Sequence, residues 1–260
     1  MTKIYYFSGT GNTFWSAQKI AEKISAGSDG PDVQLVNMGM EAQKKEIILE
    51  ADALVFLFPA YAYGAPVLVR RFIKRAVLKT SHISVFTTFG SSPGGALAEV
   101  ARILKRKNAA PVYYGRIPSV ENYIVIFGTQ KPDVIKKRLE MQRIATDEAA
   151  AAVAQKLTNR IWTFRPISAF IAALFSLGIK LFYKWYKVNE DCDGCRICER
   201  LCPVNAITMR DNKPVFSRKC EHCQGCINWC PKRAINYLNI HSDTPRYNHP
   251  EVTAGKMFRR

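Results

Sequence analysis

The chain has 260 residues, 48% of them hydrophobic, with eight cysteines and a formal charge of +17 from 38 Lys+Arg against 21 Asp+Glu. That length and apolar content support one large domain plus a small one, and exclude a disordered chain or a disulfide-stapled miniprotein. A positive surface draws nucleic acid, anionic lipid or acidic proteins. No zinc finger, basic helix–turn–helix or aromatic RNA-binding motif accompanies the charge, so acidic protein partners or a membrane face are expected and nucleic acid is not.

Residues 3–7 form a short apolar run that predicts a buried parallel strand. Ser8, Gly9, Thr10, Gly11, Asn12 and Thr13 follow at once, and residues 14–24 show helical periodicity. Strand, hydroxyl-rich glycine loop and helix start together place N–H groups and hydroxyls where a phosphate is favoured. The dinucleotide fingerprint is broken: Phe14 stands at its third glycine, and the predicted strand 33–37 ends in Asn37 rather than an acid. No Gly-Lys-Ser/Thr of a Walker loop is present. The hydroxyls of Ser8, Thr10, Thr13 and Ser16 suit a terminal phosphate monoester better than a bridging pyrophosphate. A bare helix-capping turn does not need so many. The run from Ser8 to Thr13 resembles the FMN-phosphate loop of flavodoxins.

Residues 51–58 predict the next buried strand, and a loop from Pro59 to Pro66 leaves its carboxyl end, where open α/β sheets bind ligands. In flavodoxins this loop carries aromatic residues that stack on the isoalloxazine. The resemblance therefore implies flavin contacts from Pro59, Ala60, Tyr61, Tyr63 and Gly64, with Tyr63 the favoured stacking ring and Gly64 free to turn its carbonyl toward the flavin N5–H. Residues 67–79 read as a basic amphipathic helix whose Arg70, Arg71, Lys74, Arg75 and Lys79 form a solvated face or a partner-docking one. A strand at 82–88 leads into a second glycine- and hydroxyl-rich loop, 89–95, and a helix at 96–107. By the same resemblance Thr88, Phe89, Gly90, Gly94 and Gly95 hold the pyrimidine edge. Loops 59–66 and 89–95 contain no acid, which predicts an easier second flavin reduction than in an acidic flavodoxin. Residues 111–115 predict a fifth strand, 116–128 an irregular loop near the flavin or the domain seam, and 132–160 a long helix with Pro132 in its first turn.

Residues 167–179 carry no charge and are flanked by Arg165, Lys180 and the aromatic Phe182, Tyr183, Trp185 and Tyr186. The run is too short to span a bilayer. Its apolar residues run all round, which favours a buried connector over an interfacial helix.

All eight cysteines fall in two copies of C-x₂-C-x₂-C-x₃-C-P: Cys192, Cys195, Cys198 and Cys202 before Pro203, then Cys220, Cys223, Cys226 and Cys230 before Pro231. Three cysteines at i, i+3 and i+6 wrap one face of an iron–sulfur cube, and the fourth lies too far round to close the same cube. Structural zinc rarely leaves such triples. A disulfide framework suits a short secreted chain, which this is not, and cluster thiolates on every cysteine lead to the expectation of a reducing cytoplasm. Residues 188–238 resemble the bacterial-type ferredoxin module, which implies crossed ligation: Cys192, Cys195, Cys198 and Cys230 on one cluster, Cys220, Cys223, Cys226 and Cys202 on the other. His222 is expected to pack near a cluster without replacing a thiolate, and Ile227 and Trp229 to form the dry shell.

The order of parts resembles the flavodoxin–ferredoxin fusion proteins of anaerobes. The expected architecture is an α/β flavodoxin-like doubly wound parallel five-stranded sheet over 1–160, an apolar helical connector over 161–187, a small α+β two-cluster ferredoxin domain over 188–240 and a polar basic tail over 241–260 that is partly ordered against the body. Two [4Fe-4S] clusters and FMN on one chain imply electron transfer, since a cube moves one electron and a flavin holds one or two. Acidic redox proteins are the expected partners, with peripheral membrane contact through 161–186. Two other readings stay open: an FMN-dependent reductase of a quinone or other small acceptor fed through the clusters, and a cluster-bearing nucleic-acid binder.

Overall fold

The computed structural model describes residues 1–26 and 30–258. Strands Thr2–Tyr6 (β1), Val33–Asn37 (β2), Ala53–Pro59 (β3), His82–Phe89 (β4) and Val112–Pro118 (β5) form one parallel sheet in the order β2-β1-β3-β4-β5. This is the doubly wound flavodoxin-like order, with its switch point between β1 and β3. Helices Asn12–Ile24 (α1), Val67–Arg75 (α2) and Ala96–Arg106 (α3) run between strands, and Pro132–Ala154 (α4) and Pro166–Phe182 (α5) follow the sheet.

The central strands are apolar on both faces because both faces are covered. On one, Phe7, Phe56 and Phe58 meet Val69, Phe72 and Ile73 of α2 and Val100 and Leu104 of α3. On the other, Ile4, Val55, Leu57 and Phe86 meet Trp15 and Ile20 of α1 and Ala149 and Val153 of α4. Each fully buried Phe, Leu or Ile contributes roughly 1.5–3 kcal/mol relative to exposure, so this sandwich fixes where the strand ends lie.

The small C-terminal unit pairs Tyr186–Val188 with Ile235–Tyr237 and Ile207–Arg210 with Lys213–Phe216, both antiparallel, around the short helices Ile197–Leu201 and Gly225–Asn228. It begins at Tyr186, two residues before the sequence boundary.

Three expectations need correction. The basic helix stops at Arg75: Ala76 is extended, and Val77–Lys79 pairs in parallel with Ile48–Glu50, since short runs of aliphatic residues suit an added ribbon as well as a helix. Helix α4 ends at Ala154, not at residue 160. The connector is not buried: α5 buries only Ala172 and Ile179, because the body offers it one groove and no second layer. The tail is ordered against the body, as expected. Tyr247, His249, Val252 and Met257 are buried, the last two against the α1 core. Arg259 and Arg260 lie outside the described residues.

Candidate functional site

The cysteine repeat folds into two hollows. One, of about 330 Å³, is lined by Cys192, Cys195, Cys198 and Cys230. The other, of about 350 Å³, is lined by Cys202, Cys220, Cys223 and Cys226, and Cys198 lines both. The fourth cysteine of each motif thus lies with the first three of the other. Left-handed backbone recurs at the repeat distance: Gly194 (φ 73°) with His222 (φ 52°), Arg196 (φ 61°) with Gln224 (φ 61°), and Asn205 (φ 51°) with Arg233 (φ 49°). Such residues bend the chain tightly enough for a short loop to encircle a cofactor. They also aim backbone N–H groups at sulfur: Ala206 donates to Cys202 Sγ at 3.2 Å, Ala234 to Cys230 Sγ at 3.4 Å and His222 to Cys220 Sγ at 3.3 Å. These bonds favour the charged thiolate and help set a cluster's potential.

Burial pushes the thiols of Cys198 and Cys220 up to about 12, and those of Cys223 and Cys226 well above the usual thiol range, so iron binding there must displace protons. No three His, Cys, Asp or Glu side chains among the described residues converge closely enough for a single ion. Sulfurs spread around hollows of this size suit a cube, in which each thiolate binds its own iron.

His222 lies in an aromatic box of Tyr123, Phe175, Phe182, Tyr186 and Tyr237. Its ring nitrogens pair with Tyr186 Oη at 3.1 Å and Tyr123 Oη at 3.0 Å, and burial lowers its pKa to about 4. Ile227 is fully buried among the cysteines. Trp229 instead packs on the α1 side and donates Nε1–H to the carbonyl of Gly9 at 3.0 Å.

A third hollow, of about 320 Å³, lies at the carboxyl ends of β1, β3, β4 and β5 and the start of α1. Ser8, Gly9, Thr10, Asn12, Thr13, Pro59, Ala60, Thr88, Phe89 and Gly90 line it. Gly11 stands behind the lining in a left-handed conformation (φ 102°), as the residue that turns strand into helix. The first turn of α1 has neither a side-chain cap nor an acid, so its N–H donors are left for a ligand. Thr13 Oγ1 and Thr88 Oγ1 lie 2.7 Å apart at the wall, and Thr10 Oγ1 accepts from Asn122 Nδ2. This donor-rich cradle fits the phosphate end of an FMN. Ser16 does not join it: its hydroxyl is taken by Gln142 at 3.0 Å and Thr146 at 3.1 Å on α4.

The structure does not bring Tyr61, Tyr63, Gly64, Gly94 or Gly95 to this hollow. Tyr61 turns inward toward Phe7, its hydroxyl buried and unpartnered, while Tyr63 is 46% exposed. Gly64 is locked rather than free, since its N–H and carbonyl both bond Tyr61, at 2.9 and 2.8 Å. Gly94 packs on Tyr63, and Gly95 donates to the Tyr63 carbonyl at 2.7 Å. Helix α5 lies over this corner, with Ala172 against Gly64 and Ser168 against Gly95.

Sequence reasoning placed the loop 116–128 near the flavin or the domain seam without assigning it contacts, and Ser119, Val120, Glu121 and Asn122 of that loop line the hollow. Their position after a predicted strand, at the ligand-binding edge, was the available signal. It missed the strap, in which Tyr247 Oη donates to Asn12 Oδ1 at 2.7 Å and the His249 N–H donates to the Thr10 carbonyl at 2.9 Å. Partial order of the tail was expected, but these two bonds were not.

The phosphate hollow and the second cysteine hollow touch. A Cβ at Gly9 would stand 2.3 Å from the Cys223 carbonyl oxygen, and one at Gly225 would stand 2.9 Å from the Gly9 carbonyl oxygen. Gly39 is equally tight on Pro203, and Asn205 Nδ2 donates to Gln43 Oε1 at 2.8 Å.

A family model described as a 4Fe-4S binding domain matches residues 185–208. Ferredoxin-3 of Chlorobaculum tepidum is 36% identical over 56 residues, which cover 19% of this chain and 90% of that protein. An uncharacterised ferredoxin of Methanocaldococcus jannaschii is 36% identical over 58 residues, 20% of this chain and 32% of that one. Of the first curated relatives the chain spans about a third of the length, 30%, 38% and 32%. Among solved structures, a flavodoxin from the domain Archaea is 18% identical with a TM-score of 0.36, over 60% of this chain and 96% of that one. Oxidised Flavodoxin 2 from Bacillus cereus is 18% identical with a TM-score of 0.40, over 60% and 99%. The flavodoxin-like assignment rests on strand order and direction rather than on those scores.

Proposed function

The chain belongs to the ferredoxin family through its cysteine segment, and from that premise we propose that it relays electrons between two [4Fe-4S] clusters and an FMN held by the N-terminal fold, and onward to an acidic redox partner. An iron–sulfur cube passes one electron at a time and a flavin holds one or two, so the pair converts between the two kinds of traffic.

The single observation that carries the relay is the contact of Gly9 with the Cys223 loop. One backbone layer separates the cradle for the phosphate from the thiolates of the second hollow. Trp229 holds the two loops together through Gly9, and Ile227 and the His222 box keep water from the sulfurs on the inner side. Cys192, Cys195, Cys198 and Cys230 would hold the outer cluster, where Cys195 is exposed and so available as the entry point. Ser8, Thr10, Thr13 and the α1 N–H groups would hold the phosphate, while Glu121 and Asn122 close the far wall. Arg71, Lys74 and Arg75 are exposed along α2, which with the net positive charge supports an acidic partner.

The test is anaerobic purification with iron, sulfide and flavin quantified, followed by rapid reduction of the clusters. About eight irons and one FMN per chain are expected. Flavin reduction should follow cluster reduction within one molecule, independent of protein concentration. A colourless protein, zinc in the cysteine hollows, or flavin reduction that scales with concentration would each sink the reading. Raising salt should slow electron exchange with an acidic ferredoxin but leave the internal step unchanged.

A further inference from the structure

Helix α5 is apolar toward the body and leaves a second apolar face uncovered. Its contacts with the body include Ser168 on Gly95, Ala172 on Gly64, Ser176 Oγ, which accepts from Arg70 Nη2 at 2.6 Å, and the Phe175 and Phe182 rings against His222. Its outer face carries Ile167, Phe170, Leu174, Leu177 and Leu181, all between 55% and 77% exposed. Those residues are spaced 3, 4, 3 and 4 apart and form one stripe. Trp162 and Phe164 stand exposed just before the helix and Trp185 just after it. Exposed Ile126 and Phe127 extend the surface, because the neighbouring Tyr123 ring packs on Phe175 of α5.

Charge decides what covers this stripe. From residue 149 to residue 189 the chain holds no Asp or Glu, but it holds Lys156, Arg160, Arg165, Lys180, Lys184 and Lys187. The last five are exposed and bracket the apolar run on both sides. A second copy packed on this stripe would set cation against cation. An anionic lipid surface would instead take the aliphatic face at the acyl boundary, the tryptophans at headgroup level and the cations on phosphates. By length and composition Pro166–Trp185 could cross a membrane. Helix α5 is 17 residues, about 25 Å, against roughly 30 Å of hydrocarbon, and its inner face packs on the Gly64 and Gly95 loops of the body, so it lies along the surface.

We propose that the outer face of α5, with Trp162, Phe164 and Trp185, docks this protein onto an anionic lipid bilayer as an interfacial helix. The test is co-sedimentation of the anaerobically purified holoprotein with vesicles of phosphatidylcholine alone or with about 30% phosphatidylglycerol. Binding to the anionic vesicles, weakened by salt, is expected. The double variant Leu174→Glu and Leu177→Glu should bind at least about tenfold more weakly. Iron content and cluster absorption should not change, since both side chains face solvent. Lys180→Glu with Lys184→Glu should lose about fivefold per charge on anionic vesicles. No binding, or equal binding to both vesicle types, would overturn the proposal. So would a dimer in light scattering that the leucine variant converts to a monomer while vesicles are ignored.

Discussion

The cysteine hollows and the phosphate hollow are built in opposite ways. The first two draw every cysteine from residues 192–230 of one repeat, so local spacing and paired left-handed residues do most of the shaping. The third gathers lining residues from Ser8 to Asn122, four loops that meet only because five parallel strands end at the same edge. A site written in one stretch keeps its geometry wherever the stretch is placed. A site written across a sheet inherits its geometry from the core beneath it.

The crossed cysteine sets make the sharpest test of this contrast. Cys202→Ser and Cys220→Ser belong to different motifs but line the same hollow. Each alone should lower iron from about eight to about four per chain, and the double variant should lose no more. Cys202→Ser combined with Cys192→Ser should lose nearly all of it, because Cys192 lines the other hollow. Iron analysis with electron paramagnetic resonance reads the outcome. Additive loss in the first pair would mean that each motif closes its own cluster.

Gly9→Ala breaks the comparison at the point where the two kinds of site meet. The added methyl would sit 2.3 Å from the backbone carbonyl of Cys223, which cannot move without moving a cluster ligand. A cost of about 1–3 kcal/mol is expected, with a thermal midpoint lower by several degrees, weaker flavin retention and slower internal electron transfer. Gly255→Ala, with nothing within 4 Å of its added carbon, serves as the control and should change little. If the two variants behave alike, the contact is looser than the relay needs.

How much could be read in advance follows the same division. The cysteine spacing, the strand-loop-helix of residues 3–24 and the apolar strands at 51–58 and 82–88 were legible because each is a local signal with one physical reading. Tyr63 was not, because aromatic character near a strand end does not say which way a loop turns. The bonds between Tyr61 and Gly64, and the contact of α5, hold that loop outside the lining of the phosphate hollow. The outward face of α5 was equally hidden, since a helix apolar on all sides fits a core or a membrane alike. Glu121 shows the cost of reading loops singly. Loops 59–66 and 89–95 contain no acid, yet the Glu121 carboxylate comes in from the end of β5, lines the hollow and accepts from Ser91 Oγ at 3.1 Å. The charge near a bound flavin is therefore not as low as those two loops imply. Glu121→Gln should raise the potential of the second flavin reduction by roughly 50 mV, read by anaerobic titration. An unchanged potential would place the flavin ring away from this wall.

The smallest expected effect concerns the strap, the part of the dispersed site with no local signal at all. His249 is buried, stacked on Trp15 with ring centroids 4.9 Å apart, and burial lowers its pKa to about 4 despite the opposing pull of Glu251. An unfolded histidine titrates near 6.5, so between about 4 and 6.5 the unfolded chain binds the extra proton. The stability held by the neutral ring is complete above that range and is lost as pH falls through it, by about 2 kcal/mol between pH 7 and pH 5. His222, also lowered to about 4, acts in the same sense. The thermal midpoint should therefore drop by roughly 5 °C or more over that interval, with iron content checked at both ends. His249→Phe keeps the stack on Trp15 and removes one of the two protons, so its midpoint should fall about half as far. An equal fall in the variant would mean that the strap does not exclude the proton.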